Sequence, residues 1–291
     1  MYIIIKDLFR HDFRFAFAVI VLLMLLLLSL VSYLSPHHSE ARHVVERDLV
    51  PSLQHPLGTN SRGQDIFWLI SHSIRNSLIM GGLTAIMSIS IGTFVGLIAG
   101  YKGGLIDKIL MTVNDSLIVL PVLPVLILVS AMLADMINLM MLAFILSFFS
   151  WPWGGRQVRS QVLSLREREF TYTAVFSGMS TIKVAVKEYL PFVLPWVMAN
   201  FINTILWAIG METTLAIFGL SSLETPTIGT TIFWALDFQA ILREKWLWIG
   251  SPIVGGALLF VSLYMLSSSI GAFIDPKKRV QVRLGKEGVG A

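Results

Sequence analysis

The sequence predicts an all-α, polytopic membrane protein with six transmembrane helices. Two observations carry that prediction. First, 55% of the 291 residues are hydrophobic and only 14% are charged, with a mean hydropathy of +0.75; a soluble domain carries about 25% charged residues. Second, six runs are long enough to cross the hydrocarbon core, which takes roughly 20 helical residues. They are Phe15–Tyr33, Ser77–Tyr101, Ser116–Ala134, Met136–Gly155, Tyr189–Met211 and Trp246–Ile274, and none contains Asp, Glu, Lys or Arg. Continuous apolarity, without the alternation of a barrel strand, selects helices.

The first run is expected to be a retained span. Its 19 residues exceed the usual 7–15-residue core of a signal peptide. Ser35-Pro36-His37-His38 also offers no small-x-small cleavage site. With the N-terminus in the cytoplasm, 16 Lys and Arg fall inside and 6 outside. The positive-inside rule therefore places both termini in the cytoplasm. The expected organisation is a cytoplasmic N-terminus over 1–14, a first span over 15–34 and an extracytoplasmic loop over 35–76. A core of five spans follows over 77–274, interrupted by a cytoplasmic loop at 159–191, and then a cytoplasmic tail over 275–291.

Several function classes are excluded or disfavoured. With no cysteine in the chain, disulfides, thiolate metal sites and cysteine nucleophiles are ruled out. The pI of 9.4 does not argue for nucleic acid, because the bases sit in loops flanking spans. The His37-His38-x4-His43 cluster reads as solvated, so no metal is expected. No G-x-x-x-x-G-K-[ST] loop occurs, so the chain is not expected to bind ATP or act as an enzyme. A membrane-embedded enzyme would need clustered acids or a nucleophile at membrane depth. Asp115 and Glu212 are the only candidates, and they fall near opposite faces. A secondary transporter would show titratable residues within spans or an inverted repeat, and neither is evident.

The stretch Arg166–Pro195 stands out, because a charged, amphipathic segment interrupts a chain of spans. Phe170–Ser177 reads as a short helix, with Phe170/Ala174, Tyr172/Phe176 and Val175/Met179 paired at i,i+4. Gly178 can take the left-handed conformation that ends it. Ser180 or Thr181 can cap a second helix. Pro191 is expected to break or kink the chain as it enters the fifth span. The product is a small helix–Gly–helix knob with Arg166, Glu167, Arg168 and Glu169 at its base. Its alternatives are docking into a partner's groove or lying flat on the membrane.

Within the spans, Gly92, Gly96 and Gly100 recur every four residues and favour close helix packing. Asn200, Asn203 and Thr204 share one face of span five, with Glu212 further along. Such a stripe either lines a wet pathway, here a cavity shared with a partner, or bonds a neighbouring helix. Asp115, ahead of Pro121 and Pro124, is either paired with a basic residue or part of a gate. Trp151, Trp153, Trp234, Trp246 and Trp248 read as an interfacial belt, with Trp234 left open for a partner's contact.

The loop resembles the E-A-A-x3-G-x9-I-x-L-P motif of bacterial ABC import permeases. Tyr172, Thr173 and Ala174 stand at its first three positions, Gly178 at its glycine, and Leu190 and Pro191 at its close. Tyr172 replaces the usual glutamate and Glu188 the usual aliphatic. His55-Pro56-Leu57-Gly58-Thr59-Asn60-Ser61-Arg62-Gly63-Gln64-Asp65 resembles the H-P-L-G-T-D-x-x-G-R-D signature of dipeptide, oligopeptide and nickel permeases, departing at Asn60 and Gln64. Arg166–Phe170 and Glu212–Leu220 resemble two further family segments. The resemblance runs from about Phe15 to Pro276 and is to the C-type subunit.

This resemblance implies a type I ABC importer permease fold in an inner membrane. It implies a homologous B-type permease partner, two cytoplasmic ATPase subunits and an extracytoplasmic binding protein, with no nucleic acid. ATP and Mg would be bound only by the ATPases. The implied coupling residues are Glu169, Phe170, Thr171, Tyr172, Thr173, Ala174, Phe176, Gly178, Leu190 and Pro191. Peptides are the leading cargo, with oligosaccharides or nickel as alternatives.

Overall fold

The structure, a computed structural model, describes residues 12–133 and 136–274. The expectations for 1–11 and for the tail over 275–291 lie outside the described residues, as do Ala134 and the side chain of Val175. Every regular element described is helical, and one isolated bridge joins Thr59 to Asp65. In chain order the helices are α1 (Phe13–Val31), α2 (Ile66–Lys102), α3 (Gly104–Val119), α4 (Val122–Met132), α5 (Leu139–Arg166), α6 (Glu169–Phe176), α7 (Thr181–Val184), α8 (Leu190–Ile217), α9 (Ile228–Asp237) and α10 (Trp246–Ile274).

Four of the described stretches are long and apolar enough to cross a membrane: Phe13–Leu34, Ile66–Lys102, Thr181–Ile217 and Trp246–Gly271. A fifth arises if α3 and α4 count as one span, although they meet at an 82° bend. Among the described residues, length and apolarity thus mark four or five of the expected six. The third, Ser116–Ala134, is broken at Leu120-Pro121. Leu120 is extended (φ −64°, ψ 135°), because a residue before proline is pushed out of the α region. The fourth, Met136–Gly155, lies largely in α5, which runs on through Arg156 and Arg159 to Arg166. Those charges and the Trp151–Gly155 stretch dilute its apolar run.

Two boundaries also shift. Span two begins at Ile66, eleven residues before Ser77, because Asp65 caps it there. Its Oδ1 accepts from the Phe67 N–H at 2.8 Å and the Trp68 N–H at 3.4 Å. Pro191 does not break the chain either. A π-helical turn over Ala185–Tyr189 joins α7 to α8, and Pro191 follows in the first turn of α8. The helix is continuous through this point, with the Leu190 N–H bonded to the Ala185 carbonyl, and the wider turn just ahead of the proline makes room for its ring.

The described chain forms two compact units. One comprises residues up to 83, 123–145 and 205–265. Trp248, 1% exposed, lies in a cluster with Ile66, Ala235, Ala240 and Ile249. The other comprises 84–122, 146–204 and 266 onward. Its core gathers Leu97 from α2, Val158 and Val162 from α5, Ala174 from α6, and Tyr189 and Val193 around the start of α8. The glycine stripe of α2 is what lets α5 approach. A Cβ at Gly96 would lie 2.6 Å from the Gly155 carbonyl oxygen, and one at Gly100 2.7 Å from Val162 Cβ. The packing role expected of these glycines is the one seen.

Candidate functional site

Within 159–191 the short helix and the glycine that ends it stand where the pattern predicts them, while Arg159–Arg166 belongs to α5. Helix α6 stops at Gly178, whose φ of +75° is the left-handed conformation glycine adopts freely. A Cβ there would meet nothing within 4 Å, so the constraint is conformational and not spatial. The Met179 N–H closes back on the Ala174 carbonyl at 3.2 Å, a bond spanning five residues that satisfies the helix end. Ser180 takes the cap position of α7 in extended backbone, without a side-chain capping bond.

One side of α6 is anchored and the other is free. Thr171 and Ala174 are buried, and Phe170 packs on the same core. The Thr171 hydroxyl donates to the Leu165 carbonyl at 2.9 Å and accepts from the Tyr189 hydroxyl at 3.2 Å. The Tyr189 ring, fully buried, contacts the rings of Tyr101 at 5.7 Å and Phe170 at 6.3 Å. Phe170 also stacks on Phe192. In contrast, Glu169, Tyr172, Thr173, Phe176, Gly178 and Pro191 are exposed, Phe176 at 87%, while Leu190 is half-buried. Sequence reasoning missed Tyr189, which falls on an unspecified position of the motif. Its signal was an aromatic between Glu188 and Leu190, where a solvated turn needs none.

Next to the knob, α3 and α5 are tied by two ion pairs. Arg159 donates to both oxygens of Asp107, at 2.5 and 2.6 Å, and Arg156 to Asp115 at 2.5 Å. Asp115 is thus a paired charge, the first of its two readings. Asn114, buried beside it, donates to the same carboxylate at 3.3 Å. Pro121 marks the α3–α4 bend and Pro124 lies in the first turn of α4.

The polar stripe of α8 does not present one face. Asn203 is exposed and Asn200 half-buried, but Thr204 is buried and its hydroxyl returns to the Asn200 carbonyl at 2.9 Å. Glu212 departs further from the expectation that it lines a cavity, being fully buried in its own unit. Its Oε1 accepts from Thr227 Oγ1 at 2.6 Å and Ser221 Oγ at 3.0 Å. Thr227 caps α9, whose Ile228 N–H donates to Ser77 Oγ at 3.0 Å. The carboxyl therefore sits at the N-terminus of α9, where it holds the capping Thr227 hydroxyl. Only folding brings Glu212, Ser77 and Thr227 together.

The His55–Asp65 segment is a tightly bonded turn. His55 Nδ1 lies 2.7 Å from Asp65 Oδ2, whose other oxygen caps α2. Gly58 and Gly63 have φ of +75° and +68°, and a Cβ on Gly58 would lie 2.5 Å from the Leu49 carbonyl oxygen. The two departures from the signature are partners: Asn60 Nδ2 donates to Gln64 Oε1 at 3.2 Å. The Arg62 guanidinium stacks over Trp234 at 4.0 Å, and the Trp234 indole donates to the Leu223 carbonyl. Among the described residues no group of three His, Asp or Glu is placed to hold a metal ion.

Comparison with known proteins agrees with this geometry. Residues 92–280 match the family model "Binding-protein-dependent transport system inner membrane component". The chain is 29% identical to the dipeptide transport system permease protein DppC of Bacillus subtilis, over 85% of this chain and 76% of that protein. It is 31% identical to the oligopeptide transport system permease protein OppC of Mycobacterium bovis, over 79% and 78%. It is 25% identical to the oligopeptide transport system permease protein AmiD of Streptococcus pneumoniae, over 94% and 89%. With its helices, its anchored knob and a match that covers well over half its length, the chain belongs to the family of inner-membrane components of binding-protein-dependent transport systems.

Proposed function

We propose that this chain is one permease subunit of an ATP-binding-cassette importer for peptides. It forms half of the pathway with a homologous permease and takes its drive from cytoplasmic ATPase subunits. The observation that carries the reading is the knob. Helix α6 is fixed to the core through Thr171, Ala174 and Phe170, while Tyr172 and Phe176 project from it, exposed. Exposed aromatics on a short, rigid helix suit docking into a groove on another protein. The named relatives, which serve dipeptide and oligopeptide transport, support peptide as cargo.

In this reading Glu169, Phe170, Thr171, Tyr172, Thr173, Ala174, Phe176, Gly178, Leu190 and Pro191 form the ATPase-coupling surface or its support. Both termini and the knob face the cytoplasm. An extracytoplasmic binding protein delivers cargo to the opposite side. The chain performs no chemistry, and ATP with Mg is bound by the ATPases. Asn203, exposed on α8, and Asn200 beside it remain the pathway residues.

The test is co-purification of the tagged chain with Phe176→Asp and Gly178→Pro. Both variants are expected to keep the second permease and to lose the ATPases, together with peptide uptake. A chain that purifies alone and still moves solute refutes the assignment.

A further inference from the structure

The loop at 46–57 leaves apolar side chains bare. Leu53 is fully exposed and Val50 is 78% exposed. The backbone there is a bonded turn: the Ser52 and Gly58 N–H groups both donate to the His55 carbonyl at 2.9 Å. A second set is bare on the turn that leads into α10, namely Ile241, Leu242, Trp246 and Leu247. That turn folds back on itself, with the Lys245 N–H donating to the Ala240 carbonyl at 2.8 Å.

Two contacts put these segments side by side. Lys245 pairs with Asp48 at 3.3 Å, and Leu57 packs on the cluster that holds Ala240, Trp248 and Ile249. One exposed leucine means little, but six bare apolar side chains on two adjacent segments call for a cover.

The level of these segments identifies the cover. The stretch Trp246–Gly271 has 26 residues, about 39 Å of helix at 1.5 Å per residue. The hydrocarbon core is about 30 Å thick, and about 40–45 Å with its headgroup layers. A helix of that length, crossing the core, leaves its first turn among the headgroups. Exposed Trp246 opens that turn, and an indole at a span end suits the interface. Asp48 and Leu57 hold the loop at 46–57 against the same turn. Further along α10 the exposed apolar face continues through Ile253, Val254 and Leu258, so the bare residues at the turn prolong a face that is already apolar. Arg243, exposed beside Leu242, has a stem long enough to lie on apolar surface with its charge among phosphates.

We propose that Val50 and Leu53, together with the turn at 241–247, insert into the phospholipid headgroup layer of the leaflet where α10 begins. The loop at 46–57 is then a membrane contact outside the spans. The proposal rests on membership of the inner-membrane family and not on the cargo.

The chain has no cysteine, so a single introduced cysteine reports one position. Leu53→Cys and Leu242→Cys are labelled with an environment-sensitive fluorophore. The labelled chain is assembled with cysteine-free partner subunits in nanodiscs of phosphatidylcholine and phosphatidylglycerol. Leu23→Cys on α1 is the membrane control, and Glu224→Cys, 76% exposed, is the water control. Both test labels are expected to emit at shorter wavelength than the Glu224 label. A phospholipid with a nitroxide near its glycerol end should quench them more than one with the nitroxide at the chain end, and aqueous iodide should quench them little. Val50→Cys replaces Leu53→Cys should the latter fail to assemble.

Iodide quenching of the Leu53 label as complete as that of the Glu224 label overturns the proposal. So does iodide quenching that disappears when the extracytoplasmic binding protein is added, which would make the patch a protein-docking surface. Lipid quenching at Leu242 alone would leave the loop in water and overturns it too. If the Leu23 label also escapes both lipid quenchers, it is the membrane assignment of the chain that fails.

Discussion

The Tyr189 hydroxyl donates to Thr171 Oγ1 at 3.2 Å, and Thr171 passes the chain on to the Leu165 carbonyl at 2.9 Å. One buried pair thereby ties the exposed helix α6 both to the end of α5 and to the π-helical turn that opens into α8. The knob is not a loose loop. Its inner face is held by hydrogen bonds to the end of α5 and to the turn that leads into α8.

Tyr189→Phe removes that hydroxyl and little else. The expected cost is about 1 kcal/mol of stability, the typical net worth of a hydrogen bond. The permease and ATPase subunits should still assemble. Peptide imported per ATP hydrolysed should fall, because α6 retains its docking face and loses a tie to α8. Measuring uptake and ATPase rate on the same proteoliposomes checks this, and an unchanged ratio would mean that the bond serves stability only.

Gly96→Ala and Gly82→Ala make a contrasting pair on α2. A methyl at Gly96 collides with the Gly155 carbonyl oxygen at 2.6 Å and Val158 Cβ at 2.7 Å, whereas at Gly82 it meets nothing within 4 Å. Overpacking of this kind costs about 1–3 kcal/mol. Thermal unfolding in detergent should show a lowered midpoint for Gly96→Ala and an unchanged or raised one for Gly82→Ala, since alanine favours the helix.

Glu212→Ala strips the buried Ser221 hydroxyl of its acceptor and Thr227 of its shortest bond, leaving Thr227 with Thr230 alone. An unserved buried group costs about 1–3 kcal/mol. The expected result is poor accumulation of the chain, with Glu212→Gln intermediate because its amide oxygen still accepts. A variant that folds and assembles normally yet imports cargo at an altered rate would return Glu212 to the pathway.

Much of the knob was readable in the sequence because its determinants are local. The i,i+4 pairs of α6, the glycine that must turn left-handed and the motif spacing all lie within twenty residues of one another. The glycine stripe of α2 was readable for the same reason: four-residue spacing puts small residues on one helix face whatever that face then meets.

What the sequence by itself determined is the class and its periodicity: helices rather than strands, apolar runs long enough for a bilayer, and the place of the charged interruption. Tertiary structure alone decided the partnerships. Glu212 looks in sequence like a carboxylate on a polar stripe and becomes the buried anchor of α9, because Ser221 and Thr227 fold back onto it. Asp107 and Asp115 acquire Arg159 and Arg156 from a helix some forty to fifty residues further along. Asn60 and Gln64, read separately as departures, prove to be mutual hydrogen-bond partners. The physical reason is common to all three. A side chain's energy depends on which atoms replace its water, and for these residues the replacements are set by packing and turn geometry that no one-dimensional pattern records.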